Sequence, residues 1–144
     1  MSKKDLSELM EFARKLHGHV GPCLVLGLRM GLAVKNALCI NGPETAQLEA
    51  AVYMPLHPPT SCLLDGIQVS TTCTIGNQRL QFGNSESIHA FFSSHKNAKA
   101  AKITLTESLI DQLKQRTQQD KLGEQYAWEL AELPETKLFN VILE

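Results

Sequence analysis

The stretch HGHVGPC, residues 17–23, places two imidazoles and a thiol within seven residues. In a regular strand, residues two apart point to opposite faces, but Gly18 allows a bend that turns both His17 and His19 to one side. Imidazole nitrogen and thiolate sulfur are ligands for zinc, nickel or copper(I) rather than for magnesium or calcium. The stretch therefore indicates either a metal-binding or reactive pocket, or an ordinary polar turn, depending on which other side chains join it.

A second group of reactive side chains lies in the segment CLLDGIQV, residues 62–69, which is predicted to be a short helix. A thiol at a helix N-terminus, such as Cys62, has a lowered pKa and supplies the thiolate that acts as nucleophile or ligand. Asp65 in the first turn either interacts favourably with the helix dipole or accepts a histidine N–H, and Gln68 adds an amide one turn later. The alternative for Cys62 is a buried thiol that packs as a small apolar residue.

The remaining cysteines differ in what they can contribute. Cys73 follows Cys62 by eleven residues, which excludes a Cys-x-x-Cys redox motif and a zinc-finger spacing. A strand that leaves a short helix can still fold back beside the start of that helix, so Cys73 stays a candidate. Cys39 is predicted to be a packing residue, Cys23 is predicted to point along the second helix, and His57 is a further ligand only if one is needed.

Two helices must position the histidine bend. Apolar residues recur at helical spacing before it and predict an amphipathic helix that ends near His17: Leu6, Leu9, Met10, Ala13 and Leu16. A second, apolar helix is predicted to begin at Pro22, because the first helical position needs no N–H donor. Gly27 and Gly31 lie on one face of it, where another backbone can approach closely. The bulky apolar residues around them indicate a central helix that also serves as a subunit contact.

The rest of the chain alternates between strands and helices. The patterns predict strands at 48–54, 79–83, 87–92, 100–105 and 136–143, and helices at 62–69, 106–117 and 122–132. Thr60 or Ser61 is predicted to cap the first of these helices, and Thr104 or Thr106 the second. This order predicts an α+β fold over residues 1–144 as one domain, with an antiparallel-rich sheet packed against N-terminal and C-terminal helices.

Composition narrows the class of partners. The chain has 144 residues, 43% of them hydrophobic, and a net charge of -1. Nothing in this balance favours nucleic acid or an anionic membrane surface, and no apolar run reaches the roughly 20 residues that span a bilayer. The N-terminal segment lacks the apolar run of a signal peptide, so we expect a cytoplasmic protein with reduced thiols.

Two longer stretches carry a family resemblance. FARKLHGHVGPCLVLGLRMG, residues 12–31, and PPTSCLLDGIQVSTTCTIGNQRL, residues 58–80, resemble in order and spacing the two motifs of the formylmethanofuran dehydrogenase FmdE family. The resemblance implies an FmdE-like α+β core that forms a homodimer, with the motif residues lining a groove that binds a transition metal. It also implies a link to a larger molybdenum or tungsten oxidoreductase. The motif residues match five positions here: His17, His19, Cys62, Asp65 and Cys73.

The first motif departs from the family pattern at the thiol. The family form reads His-x-His-x-Cys-Pro-Gly, whereas this chain has Gly21, Pro22 and Cys23. A ligand supplied by the first cysteine of relatives is therefore moved or lost here. The second motif also differs, because Thr72 stands where glycine is usual.

The leading hypothesis is a zinc or nickel pocket in which His19 and Cys62 are the first-choice ligands and His17 and Cys73 the next. In a catalytic version, Cys62, Asp65 and His17 would carry the chemistry, with Asp65 orienting a histidine or accepting a proton. Two alternatives remain open. One is a non-enzymatic accessory or assembly component of a larger oxidoreductase, and the other is thiol redox chemistry by Cys62 with Cys73 as the resolving thiol.

Overall fold

The computed structural model describes residues 3–118 and 123–144 of the chain. Its helices are α1 (Lys3–His17), α2 (Pro22–Ala37), α3 (Leu63–Thr71), α4 (Glu107–Gln118), α5 (Glu124–Glu132) and α6 (Glu135–Leu138). Its strands are β1 (Leu48–Met54), β2 (Leu80–Asn84), β3 (His89–Ser94), β4 (Ala100–Leu105) and β5 (Phe139–Leu143). Short 3-10 helices precede β1 at Gly42–Gln47 and α3 at Thr60–Cys62.

The five strands form one sheet in the order β2-β1-β3-β4-β5. The β1–β2 pair is parallel, and the three other pairs are antiparallel. Alternate residues of β3 and β4 point into the core, and the register places Phe92 opposite Ala101 and Ala90 opposite Ile103 on the buried face. This period of two is what a half-buried sheet requires. The predicted α+β fold with an antiparallel-rich sheet is confirmed.

The central element is α2, which is buried over most of its length. It packs against α3, α5 and the sheet. A Cβ added at Gly27 would lie 2.2 Å from the Leu63 carbonyl oxygen, and one added at Gly66 would lie 2.2 Å from the Leu24 carbonyl oxygen. The predicted close approach is therefore present, but its partner is α3 of the same chain. The glycine face is covered by α3, and the predicted contact of this helix with another subunit stays a prediction.

Most predicted elements lie within two residues of their observed bounds, and the exceptions have local causes. The predicted strand at 136–143 begins with α6 and becomes extended only at Phe139. The predicted helix at 122–132 begins at Glu124, because Gly123 is extended, and residue 122 lies outside the described residues. Leu16, predicted on the apolar stripe of the first helix, has a side chain that is 55% exposed at the end of α1.

The two predicted N-caps have different outcomes. Thr106 caps α4, since its hydroxyl accepts the Leu109 N–H at 3.2 Å. Neither Thr60 nor Ser61 caps α3, because the 3-10 helix continues the chain directly into it and Cys62 holds the cap position without a side-chain bond. Within the described residues, no helix is both long enough and apolar enough to cross a bilayer.

Candidate functional site

The candidate site lies where α2 and α3 begin. The glycine contacts pair Gly27 with Gly66 and Gly31 with Ser70, so the two helices run side by side in the same direction. Their N-termini therefore meet at one end of the contact. Gly18, with a φ of +99°, ends α1 there, and residues 18–21 form the bend that leads into α2. Free N–H groups and the positive dipole ends of two helices favour an anion or a thiolate at this place.

His17 and Asp65 form the best-defined contact of the site. The His17 Nδ1 lies 2.6 Å from the Asp65 Oδ2, and the side chains are 14% and 36% exposed. Gln68 holds the other carboxylate oxygen, since its amide donates to Asp65 Oδ1 at 3.2 Å. The expected carboxylate–histidine pair and the added amide are thus present. With the proton on Nδ1, the His17 Nε2 keeps a lone pair for a ligand.

His19 lies beside His17 on the exposed side of the bend. The two ring centroids are 4.8 Å apart and the rings are tilted by 40°, so both imidazoles do turn to one side. The His19 Nε2 lies 3.6 Å from the position that a Cβ at residue 21 would take. A cysteine at position 21, as in the family pattern, would therefore contact the His19 ring, whereas Gly21 leaves that place without a side chain.

Cys62 lies at the N-cap of α3, partly exposed and packed against the core. The expected lowering of its pKa by the helix N-terminus is not observed. Burial raises the pKa of the Cys62 thiol above its ordinary value, and the negative charge of Asp65 raises it further. Desolvation of the thiolate and repulsion by the carboxylate thus outweigh the backbone hydrogen bond that lowers the pKa of this thiol.

Cys73 lies beyond the other end of α3 and is fully buried. Its thiol donates to the Leu48 carbonyl oxygen at 3.2 Å, and its N–H donates to the Thr71 hydroxyl at 3.1 Å. The nine residues of α3 separate it from Cys62 by a helix about 13 Å long. The chain does not fold back as expected, because residues 74–79 lead instead to β2, which pairs with β1.

The histidines outside the bend have other neighbours. The His57 Nδ1 faces the Pro58 carbonyl oxygen at 3.1 Å, His89 stacks on Tyr53, and His95 lies 3.2 Å from Glu49. None of these contacts involves the residues of the bend. His57, the reserve ligand of the sequence analysis, is exposed in the proline loop.

Sequence reasoning missed Cys23, which the structure places at the start of the α2–α3 contact. It is 4% exposed, and burial, together with a smaller contribution from Cys62, raises the pKa of its thiol to about 12. The missed signal was its spacing, since Cys23 precedes the two close-approach glycines by one and two helical turns. A residue on the same helix face as the two glycines points toward the helix that packs against them.

A groove beside the site was also missed. It has a volume of about 810 Å³ between α1 and α3, and its walls include Phe12, Leu16, Gln68 and Val69. Leu16 directly precedes His17, and Gln68 holds Asp65, so the groove adjoins the imidazole–carboxylate pair. The signal was the i, i+4 pair of large apolar side chains, Phe12 and Leu16, because Phe12 widens the apolar face of the helix beyond the predicted stripe.

The donor atoms fit a zinc or nickel ion by type, since the site offers imidazole nitrogen and sulfur. Across residues 3–118 and 123–144, however, no three His, Cys, Asp or Glu side chains are grouped closely enough to hold a metal ion. A metal at this site would therefore draw its other ligands from water, a bound molecule or a second chain, or would require side chains to reorient.

Comparison with known proteins connects this geometry to a family. One archaeal relative, a probable S-adenosyl-L-methionine-binding protein of Archaeoglobus fulgidus, is 24% identical over 152 aligned residues. The alignment covers 90% of this chain but only 41% of that protein, so this chain spans about two fifths of its relative's length.

A solved structure shares the fold. The crystal structure of a tungsten formylmethanofuran dehydrogenase FmdE-like protein from Syntrophus aciditrophicus superposes with a TM-score of 0.66 at 20% identity. The superposition covers 96% of this chain and 71% of the other. The family described as FmdE, molybdenum formylmethanofuran dehydrogenase operon, matches residues 16–140, a range that includes the bend, α3 and nearly the whole sheet. The chain therefore belongs to the FmdE family.

Proposed function

We propose that this chain is an FmdE-type binding protein whose pocket at the paired helix N-termini takes up zinc or nickel, and that it serves a molybdenum or tungsten oxidoreductase. Family membership supports the link to formylmethanofuran dehydrogenase or a related enzyme. The metal is our own inference from the side chains of the pocket.

The observation that carries the proposal is the 2.6 Å contact between His17 Nδ1 and Asp65 Oδ2. Metal-binding histidines commonly donate their second ring N–H to a carboxylate, which fixes the tautomer and makes the free nitrogen more basic. Gln68 restrains the carboxylate in turn. Such an arrangement orients the His17 Nε2 for a metal ligand, and the His19 ring 4.8 Å away offers a second imidazole.

The residues have distinct roles in this proposal. His17 and His19 would hold the ion, Asp65 would orient His17, and Cys62 would supply a thiolate where its deprotonation is driven by the bound cation. Bound zinc or nickel would supply a Lewis acid that lowers the pKa of a coordinated water. We keep Cys73 out of this set, because it lies in the core at the other end of α3.

The first experiment measures metal in protein purified without a metal-affinity tag. We expect close to one zinc or nickel ion per chain after incubation and dialysis, measured by inductively coupled plasma mass spectrometry. The variants His17→Ala and His19→Ala should lose most of the bound metal. The matched control is His95→Ala, which removes an exposed histidine paired with Glu49 and should retain it. Equal metal content in all four proteins would contradict the proposal.

Position 21 offers a gain-of-function test. Because a Cβ there would stand 3.6 Å from the His19 Nε2, Gly21→Cys adds a thiol next to the imidazoles without a clash. We expect this variant to bind zinc more tightly than the native chain in a calorimetric titration, whereas Gly21→Ala should not. If Gly21→Cys does not exceed Gly21→Ala, the pocket is not a ligand cluster.

The link to a larger enzyme and the homodimer implied by the family are tested separately. The protein isolated from its native cells should copurify with a molybdenum or tungsten oxidoreductase. The purified chain should have twice its monomer mass by light scattering. A protein that is monomeric and copurifies with no such enzyme would contradict the accessory role. Turnover by the isolated chain would favour an enzyme instead.

A further inference from the structure

A cysteine lies at the start of each of the two closely packed helices α2 and α3. Three residues spaced four apart on each helix form one row facing the other helix: Cys23, Gly27 and Gly31 on α2, and Cys62, Gly66 and Ser70 on α3. Residues four apart lie on the same face of a helix, one turn after another. The equal spacing of the two rows sets up residue-by-residue pairs.

The close contacts establish which residues pair. A Cβ added at Gly31 would lie 2.0 Å from the Ser70 Oγ, and one added at Gly27 would lie 3.1 Å from the Gly66 Cα. The helices therefore stay in close contact over two turns in parallel register. One turn further toward the N-termini, the same register brings Cys23 opposite Cys62.

The backbone conformation of Cys62 extends this register to the pair Cys23 and Cys62. Cys62 has a φ of −63° and a ψ of −17°, which is the right-handed helical region, so it extends the face of α3 by one position. Cys23 is the second residue of α2 and is 4% exposed, whereas Cys62 is partly exposed.

We propose that Cys23 and Cys62 form a dithiol that is oxidised reversibly to an intrachain disulfide by a hydroperoxide or by a small-molecule disulfide. The cross-link would join α2 to α3 at the candidate site and remove the Cys62 sulfur from it. The cross-link itself is independent of any metal, and only its effect on metal uptake rests on the proposed function.

The reaction balances with either oxidant. With hydrogen peroxide, the Cys62 thiolate attacks one oxygen, which gives a sulfenic acid and hydroxide. The Cys23 sulfur then attacks the Cys62 sulfur, loses its proton and releases the oxygen as water. Two thiols lose two electrons and two protons, and the peroxide becomes two waters. With oxidised glutathione, the Cys62 thiolate attacks one sulfur and releases the first glutathione as its thiolate. The Cys23 sulfur then attacks the Cys62 sulfur of the mixed disulfide, loses its proton and releases the second glutathione.

The other thiols do not compete for Cys62. Cys73 is held in the core by its bond to the Leu48 carbonyl, one helix length away. Cys39 is exposed beyond the other end of α2. The pair in the redox hypothesis is therefore Cys62 with Cys23, in place of Cys62 with Cys73.

The test oxidises metal-free, reduced protein with equimolar hydrogen peroxide and, separately, with oxidised glutathione. Remaining thiols are alkylated after unfolding, and digested peptides are examined by mass spectrometry. We expect a Cys23–Cys62 linked peptide as the main product, with Cys39 and Cys73 alkylated. Dithiothreitol should reverse it. A Cys62–Cys73 link, or Cys62 held as a glutathione adduct while Cys23 stays free, would overturn the proposal.

Substitutions at each cysteine identify the two residues that form the disulfide. Several variants are used, so that the test does not depend on the folding of any one of them. Cys23→Ser and Cys62→Ser should each abolish the link, whereas Cys73→Ser and Cys39→Ser should retain it. Because Cys23 is buried, Cys23→Ala serves as a second variant, and circular dichroism checks that each protein is folded. A link that persists in either position 23 variant would overturn the assignment.

A zinc titration of reduced and oxidised protein separates this proposal from the proposed function. Zinc binding by the reduced form, with weaker binding by the oxidised form, would support both the metal-binding function and the disulfide. If the cross-link forms but neither form binds zinc, only the metal-binding function is contradicted. If zinc binds but no cross-link forms, only the disulfide is contradicted.

Discussion

The two ends of α3 each carry a cysteine, yet they differ in almost every physical respect. At the N-terminal end, Cys62 is partly exposed beside Asp65, whose carboxylate contacts His17. At the C-terminal end, Cys73 is sealed in the core with its thiol and N–H both bonded. The nine residues of α3 thus separate an N-terminal region suited to bind a ligand from a C-terminal region that stabilises the fold.

The C-terminal end is stabilised by one cation. The Arg79 guanidinium donates to the carbonyl oxygens of Thr45, Leu48 and Thr72, while the Asn77 amide donates to the same Thr72 carbonyl at 2.7 Å. These bonds close the chain around Thr72, which has a φ of +59°. The comparison teaches that a reactive residue type is informative only together with the groups that surround it.

The largest effect is expected where the α2–α3 contact supports both ends. In Gly27→Ala, the new Cβ would stand 2.2 Å from the Leu63 carbonyl oxygen, so the helices must separate. Overpacking exceeds the gain of about 1 kcal/mol in helix propensity, and we expect a net loss of about 3 kcal/mol in the free energy of unfolding. Gly123→Ala, where the added Cβ meets nothing within 4 Å, is the control for urea unfolding. A Gly27→Ala protein as stable as the native one would contradict the contact.

The next effect separates the C-terminal end from the site. Arg79→Met removes donors to three carbonyls, and we expect a loss of about 2 kcal/mol in stability with unchanged zinc affinity. Arg14→Met is the control, because its exposed pairs with Glu11 and Glu124 are screened by solvent and contribute little to stability. Calorimetry and thermal unfolding of both variants test this. Loss of zinc binding in folded Arg79→Met would show that the two ends are not independent.

A smaller effect is expected at the N-terminal end. Asp65→Asn keeps the shape of the side chain but removes the charge that orients His17, so zinc affinity should fall about 10–100-fold while stability changes little. Glu49→Gln alters the exposed carboxylate beside His95 and is the matched control. Calorimetric titration measures both. Unaltered affinity in Asp65→Asn would mean that the pair is purely structural.

The smallest effect concerns thiol reactivity in the native fold. Iodoacetamide should modify Cys62 measurably and Cys73 only on unfolding, with exposed Cys39 as the internal reference. Because the pKa of Cys62 lies above its ordinary value, its thiolate fraction and its rate should keep rising as the pH increases through about 9. Peptide mass spectrometry at several pH values gives the three rates. Equal rates for Cys62 and Cys73 would remove the contrast between the ends.

The fold was largely predictable because its signals are local. The period of two in 48–54 and 100–105, Pro22 at the start of α2, and Thr106 at the cap of α4 each act within a few residues. The parallel pairing of β1 with β2 was not predictable, since it depends on the path of residues 74–79 across the sheet edge.

The site was predictable in part. Its residue types, the turning of His17 and His19 to one side, and the carboxylate partner of a histidine all follow from spacing and chemistry. The direction of the Cys62 pKa shift was not predictable, because desolvation depends on what packs around the thiol. The position of Cys73 was not predictable either, because the chain could leave α3 in more than one direction.

The sequence alone determined most of the helices and strands, the family motifs and the set of donor atoms, because backbone propensity and side-chain chemistry are properties of neighbouring residues. Only the tertiary structure decided which donors meet. Contact between Gly27 and Gly66 sets the register of two helices that lie far apart in the chain, and that register brings Cys23 opposite Cys62 while α3 carries Cys73 away. The site is therefore formed by packing between residues that lie far apart in the sequence, rather than by the spacing of neighbouring residues.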